Sequence, residues 1–156
     1  SYVGPLAFLT GVNKLWLENN QIADVSPLAR MNKLNWLWLK GNQIADISAL
    51  PFVPGLVGLD LAYNRVSDIS PLANLARLNT LSLAGNQISD ISPLAQIPAL
   101  ARVNLGNNRI SEIKPLVNSV AMSAGDIVDL RNNPLSSLSL ESDIPELEEN
   151  GVTVYR

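Results

Sequence analysis

The strongest constraint on this chain of 156 residues is self-similarity at a period of 22. Leu34, Leu56, Leu78 and Leu100 fall in one column. Leu15, Leu37, Leu59, Leu81 and Val103 form a second, and Leu17, Leu39, Leu61, Leu83 and Leu105 a third. An Asn column runs Asn20, Asn42, Asn64, Asn86 and Asn108. Apolar columns follow at Ile22, Ile44, Val66, Ile88 and Ile110, and at Val25, Ile47, Ile69, Ile91 and Ile113. Leu28, Leu50, Leu72, Leu94 and Leu116 complete the period. A fixed period of this length marks stacked repeats, in which no unit buries its own hydrophobic face and neighbouring units must cover it.

Within one period the local signals are consistent. In Leu37-Trp38-Leu39 the alternation sends both Leu to one face of a strand and Trp38 to the other. Asn42 follows where the chain must bend, and its amide can satisfy backbone groups of its own turn and of the next coil. Ser26-Pro27-Leu28 and Ser70-Pro71-Leu72 set a capping hydroxyl before a Pro suited to a first helical position, which predicts a short helical or 3-10 turn. Twenty-two residues leave no room for a full α-helix between strands.

The pattern L-x-x-L-x-L-x-x-N-x-I-x-D-I-S-P-L-A resembles that of leucine-rich repeats, in the 22-residue class found in bacterial internalins. The resemblance runs from Val3 to about Leu138. It implies an α/β solenoid: a right-handed superhelix with six parallel strands on a concave face, short 3-10 or extended convex segments, and a C-terminal cap. It also implies a non-catalytic recognition module, extracellular or on a bacterial cell surface, of the secreted or adhesion type. Solenoids of this kind bind many unrelated partners, so the fold alone names none.

The period slips once, Asn108 being followed by Asn133; three extra residues fall within 117–126, read as a longer convex excursion. After Asn133-Pro134 the repeat stops. Residues 142–150 read as a short amphipathic helix with Asp143 as its cap, Ile144 and Leu147 inward, and Gly151 as its stop. Val152-Thr153-Val154 reads as a last strand. The expected organisation is a solenoid over residues 1–133 and a cap over 134–156. At the other end Val3-Gly4-Pro5-Leu6-Ala7 aligns with Val25-Ser26-Pro27-Leu28-Ala29, so the chain opens inside a repeat. The expectation there is a fragment of a longer polypeptide, or an edge that meets further repeats or another chain.

Composition narrows the function classes. Charged residues are 16% of the chain and the formal net charge is −3, without the basic stripe of a nucleic-acid binder. No run approaches the ~18 apolar residues of a membrane span, so no membrane insertion is expected. The chain has no Cys and no His, which removes Ser-His-Asp, Cys-His and His-metal chemistry. No catalytic residue, metal site or cofactor is expected. The acidic column Asp24, Asp46, Asp68, Asp90 and Glu112 reads as turn capping in preference to a Ca²⁺ ladder or a catalytic pair.

The strand positions that alternate with the core Leu carry the candidate site. Lys14 and Trp16, then Trp36, Trp38 and Lys40, then Asp60 with Tyr63 just beyond it, are expected on the concave face. Thr80 and Ser82 follow as a flat stretch, with Arg102, Asp129 and Arg131 extending the surface. All three Trp fall here, where the Leu columns leave the interior no use for them. Exposed aromatic clusters mark partner sites. The partner-binding residues are therefore taken as Trp16, Trp36, Trp38, Tyr63, Lys14, Lys40, Asp60 and Arg102, for a protein ligand. The alternatives are a glycan-binding adhesion module using the same Trp residues, or a self-assembly domain. Asn20, Asn42, Asn64, Asn86, Asn108 and Asn133 are assigned a structural role as an Asn ladder.

Overall fold

Each 22-residue unit makes one coil: a three-residue strand, a bend, an extended run and a short 3-10 turn. The computed structural model describes residues 3–156. The strands are β1 (Lys14–Trp16), β2 (Trp36–Trp38), β3 (Gly58–Asp60), β4 (Thr80–Ser82), β5 (Arg102–Asn104), β6 (Ile127–Asp129) and β7 (Thr153–Tyr155). They form one parallel sheet in chain order. The sheet therefore has seven strands: the six expected of the solenoid, and the last strand expected of the C-terminal segment, which joins the same sheet as its seventh rung. That rung is Thr153–Tyr155 and not 152–154. Val152 is buried ahead of it and Val154 pairs with Val128, which carries Tyr155 onto the outward face.

Register is continuous across the sheet. Leu15, Leu37, Leu59, Leu81, Val103, Val128 and Val154 stand opposite one another in turn. The three extra residues between β5 and β6 do not disturb it; they lie on the opposite side, after the four-residue helix α1 (Lys114–Val117). The earlier coils carry 3-10 turns there, at Gly4–Phe8, Ser26–Arg30, Leu50–Phe52, Ser70–Asn74 and Ser92–Gln96. The Leu and Ile columns make one continuous core between sheet and turns.

Two polar ladders follow the coils, one joining neighbouring coils and the other fixing the turn within each. Asn64 Nδ2 donates to the Leu61 and Leu39 carbonyls at 3.0 Å, and Asn64 Oδ1 accepts the Ile44 N–H at 3.0 Å. Asn42, Asn86 and Asn108 repeat this arrangement, and Asn133 ends it by accepting from Ile110 N–H. Among the described residues Asn20 bonds only within its own coil, to Leu17 O and Glu18 O. In the second ladder Asp24, Asp46, Asp68 and Asp90 accept the N–H two residues on, from Ser26, Ser48, Ser70 and Ser92, each at 2.8 Å. The expected Ser hydroxyl caps are not made. Ser26 and Ser70 already lie inside the turn, so their backbone N–H is the group that needs an acceptor and the Asp supplies it.

The C-terminal segment corrects another expectation. Asp143 does not cap a helix. It lies inside one that includes a π-helical stretch, Ser139–Asp143, before α2 (Ile144–Glu149). Its side chain is 2% exposed; Ser139 Oγ donates to it at 3.4 Å, and Lys114 Nζ lies 3.5 Å away. Ile144 and Leu147 join the core, and Gly151 ends the helix with φ of +84°. No helix among the described residues is long and apolar enough to cross a membrane.

Candidate functional site

The register fixes which side chains share the outward face of the sheet. One column reads Lys14, Trp36, Gly58, Thr80, Arg102, Ile127 and Thr153. Its neighbour reads Trp16, Trp38, Asp60, Ser82, Asn104, Asp129 and Tyr155. All three indoles therefore sit on the first two strands.

Their rings are organised by contact. Trp16 and Trp38 stack with centroids 4.7 Å apart and planes 2° from parallel. Trp36 stacks on Trp38 at 5.7 Å and 15°. The outermost ring, Trp16, is 59% exposed, while Trp36 and Trp38 are half-buried by one another. Trp36 leans over the next strand, where it needs the absence of a side chain: a Cβ on Gly58 would stand 2.1 Å from Trp36 Cε3. The result is a stepped aromatic shelf outside the Leu core.

Tyr63 occupies a strained place. The third residue past each of the first six strands takes a left-handed backbone, and the column reads Asn19, Gly41, Tyr63, Gly85, Asn107 and Asn132. Asn and Gly tolerate that conformation, but a bulky side chain pays roughly 1–2 kcal/mol for it. Tyr63 adopts φ of 55° and remains 55% exposed, so burial of its ring offsets the strain only in part. Such an outlier points to a role beyond folding. Its ring packs over Gly85, on the side away from the indoles, and Lys40 Nζ lies 5.5 Å from its centroid. Lys40 thus spans the gap between the aromatic shelf and Tyr63.

The other candidates divide by what they already touch. Asp60 Oδ1 accepts the Ala62 N–H at 2.9 Å, which ties the carboxylate to its own turn. Asn104 and Asp129 repeat this bond, to Gly106 and Arg131. Lys14 is exposed beside Trp36. Arg102 is exposed three strands further on and makes no ion pair among the described residues. Asp129 is held by Arg131, whose Nε donates to Oδ1 at 3.0 Å. Those side-chain bonds hold the Asp129 carboxyl below its ordinary range and raise the Arg131 guanidinium above its own. The arrangement thus has an aromatic N-terminal half and a polar C-terminal half. Tyr155, which the reading of the last strand had left out, borders the polar half with Arg131 5.7 Å from its ring centroid. The alternation of buried Val152 and inward Val154 was the signal that places it outward.

The family described as Leucine Rich repeats (2 copies) matches residues 54–96 and 77–118. No curated protein matches the sequence. An internalin (inlF) from Listeria monocytogenes shares 34% identity and superposes with a TM-score of 0.87 over 99% of the chain. The chain spans 46% of the length of that internalin. Internalin C2 (inlC2), also from L. monocytogenes, gives 29% identity and a TM-score of 0.66, covering 96% of this chain and 74% of its own. A leucine-rich-repeat protein of Leptospira interrogans shares the fold at 23% identity and a TM-score of 0.88, covering 100% of this chain and 40% of its own.

Proposed function

We infer that this leucine-rich-repeat solenoid, whose coils resemble those of internalins, recognises a protein partner through the aromatic end of its sheet. Leucine-rich-repeat proteins generally mediate protein–protein recognition. The observation that carries the finer reading is the stack of Trp16, Trp38 and Trp36 on the outward face, outside a core that the Leu columns already fill. Indoles locked by stacking lose little side-chain freedom on binding, and the preformed sheet adds no folding cost. Tyr63 and Lys40 extend the surface to the third coil, and Lys14 and Asp60 flank it as orienting charges. The action is rigid display, and we assign no catalytic step to it. The internalin likeness supports a place outside the cell or on a bacterial surface.

The test is capture of a partner by immobilised protein, with Trp16→Ala and the triple Trp16→Ala/Trp36→Ala/Trp38→Ala variant beside wild type. Trp16 is the most exposed ring and makes one stacked pair, so its loss should cost the fold about 1–2 kcal/mol and remove most of the captured protein. Unchanged capture by the triple variant would overturn the reading. Retention on a polysaccharide column through the same Trp residues, with no protein captured, would replace it by glycan binding.

A further inference from the structure

A groove of about 440 Å³ lies on the outward face around Arg102, between the small side chains of β4 and the ring of Tyr155. We propose that it is a second subsite of the recognition surface, which takes the carboxylate of an acidic side chain on the protein partner. This deepens the recognition reading above and rests on it.

Charge is the first argument. The groove carries Arg102, Arg131 and Asp129, a surplus of one positive charge on a chain whose net charge is −3. The Arg131 fork is occupied, since its Nε and a terminal nitrogen both bond Asp129. Arg102 is therefore the guanidinium left to pair, and one planar fork matches the two oxygens of one carboxylate. A dianionic group would ask for a second free cation and would meet Asp129 as well.

The neutral groups agree. Asn104 Oδ1 is committed to the Gly106 N–H, so its amide offers Nδ2 to the groove. Ser82 adds a hydroxyl from the neighbouring rung of the same column. The Asp129 carboxylate and the Asn104 amide oxygen are thus engaged within the protein, while the Arg102 guanidinium, Asn104 Nδ2 and the Ser82 hydroxyl can donate. Geometry then links this subsite to the aromatic one. Arg102 lies in the Trp36 column, three strands along, about 14 Å away at ~4.8 Å per strand. Between them stand only Gly58, beneath the Trp36 ring, and Thr80. The partner must then present an apolar group and a carboxylate about 14 Å apart, a spacing that an extended segment spans in about four residues.

The capped pentapeptide Ac-Phe-Thr-Ser-Thr-Glu-NH₂ and its Glu→Gln counterpart test both halves in one NMR titration. The Glu peptide should shift the Arg102 Nε–H signal and the Ser82 and Asn104 amides. The Ser82 and Asn104 amide shifts should weaken by about twofold to fivefold with the Gln peptide, or with Arg102→Gln, which replaces an exposed side chain and removes its own Nε–H signal. Equal shifts with both peptides, or in Arg102→Gln, would overturn the subsite, as would no response at these three signals. The indole N–H signals report the aromatic half separately. If they stay still while Arg102 responds, the aromatic reading fails and the subsite stands.

Discussion

Replacing Asn64 by Ala is the sharpest probe of how the coils are held together. Asn64 Nδ2 donates to Leu39 O and Leu61 O, but Leu39 O also accepts from Asn42 and Leu61 O from Asn86. The third carbonyl in reach, Ala62 O, also accepts the Gly41 N–H. The carbonyls therefore keep a partner when Asn64 is truncated. The Ile44 N–H does not: Asn64 Oδ1 is its acceptor, and the site is buried. One orphaned buried amide costs roughly 1–3 kcal/mol, and the lost second bonds at the carbonyls add about 1. The expected loss is about 2–4 kcal/mol, or a urea midpoint lower by ~1–2 M at a slope of ~2 kcal/mol per M. Asn20 is the internal control. It bonds only two carbonyls of its own turn and is exposed, so Asn20→Ala should cost less than about 1 kcal/mol. Urea unfolding followed by far-UV circular dichroism separates the two. Equal losses in the two variants would refute the argument that the bond between coils, and not the bend within one, gives this column its energy.

Three further outcomes follow from the same geometry. Gly58→Ala should displace the Trp36 ring, since the new Cβ would meet it at 2.1 Å; near-UV circular dichroism of the stacked indoles should change, and an unchanged spectrum would contradict the stack. Tyr63→Asn should relieve a left-handed backbone that costs a bulky residue about 1–2 kcal/mol, leaving the thermal midpoint at or above that of wild type while partner capture weakens. A lowered midpoint with full capture would make Tyr63 structural. Bonds from Ser26 to Asp24, Ser48 to Asp46, Ser70 to Asp68 and Arg131 to Asp129 hold these carboxyls below the ordinary value of 3.8. As pH falls the unfolded chain therefore takes protons first. Their stabilising contribution is complete above about pH 5 and is lost as pH drops through 3.8 and the lower folded values. A urea midpoint that held constant down to about pH 3 would contradict this.

The architecture was legible because it is written in columns. Leu37, Leu59 and Leu81 recur in phase with the sheet register, so period and register carry the same information. The outward direction of Trp16, Trp36 and Trp38 followed from the strand alternation alone. Ring orientation did not, because it depends on neighbours: Trp36 leans where Gly58 leaves room, and Tyr63 leans on Gly85, on the side away from the indoles. The left-handed column was also in the sequence. Tyr63 breaks a run of Asn and Gly, but only backbone angles turn that break into strain. Asp143 misled because an acid at a helix start ordinarily caps it. Here Lys114 and Ser139, distant in sequence or hidden in a π-helical turn, make its burial tolerable. The last strand was legible at 152–154, but its place as a seventh rung of the same sheet was not, because nothing in residues 134–156 repeats the Leu spacing.

The most direct measurement is oxidative footprinting of the protein, free and bound to its captured partner, read residue by residue. Recognition through the sheet requires Trp16, Trp36, Trp38 and Tyr63 to be protected on binding, while Phe8 and Phe52, exposed away from the sheet face, keep their free-state labelling. Protection of Phe8 or Phe52 with the three indoles labelled as before would place the partner on another surface.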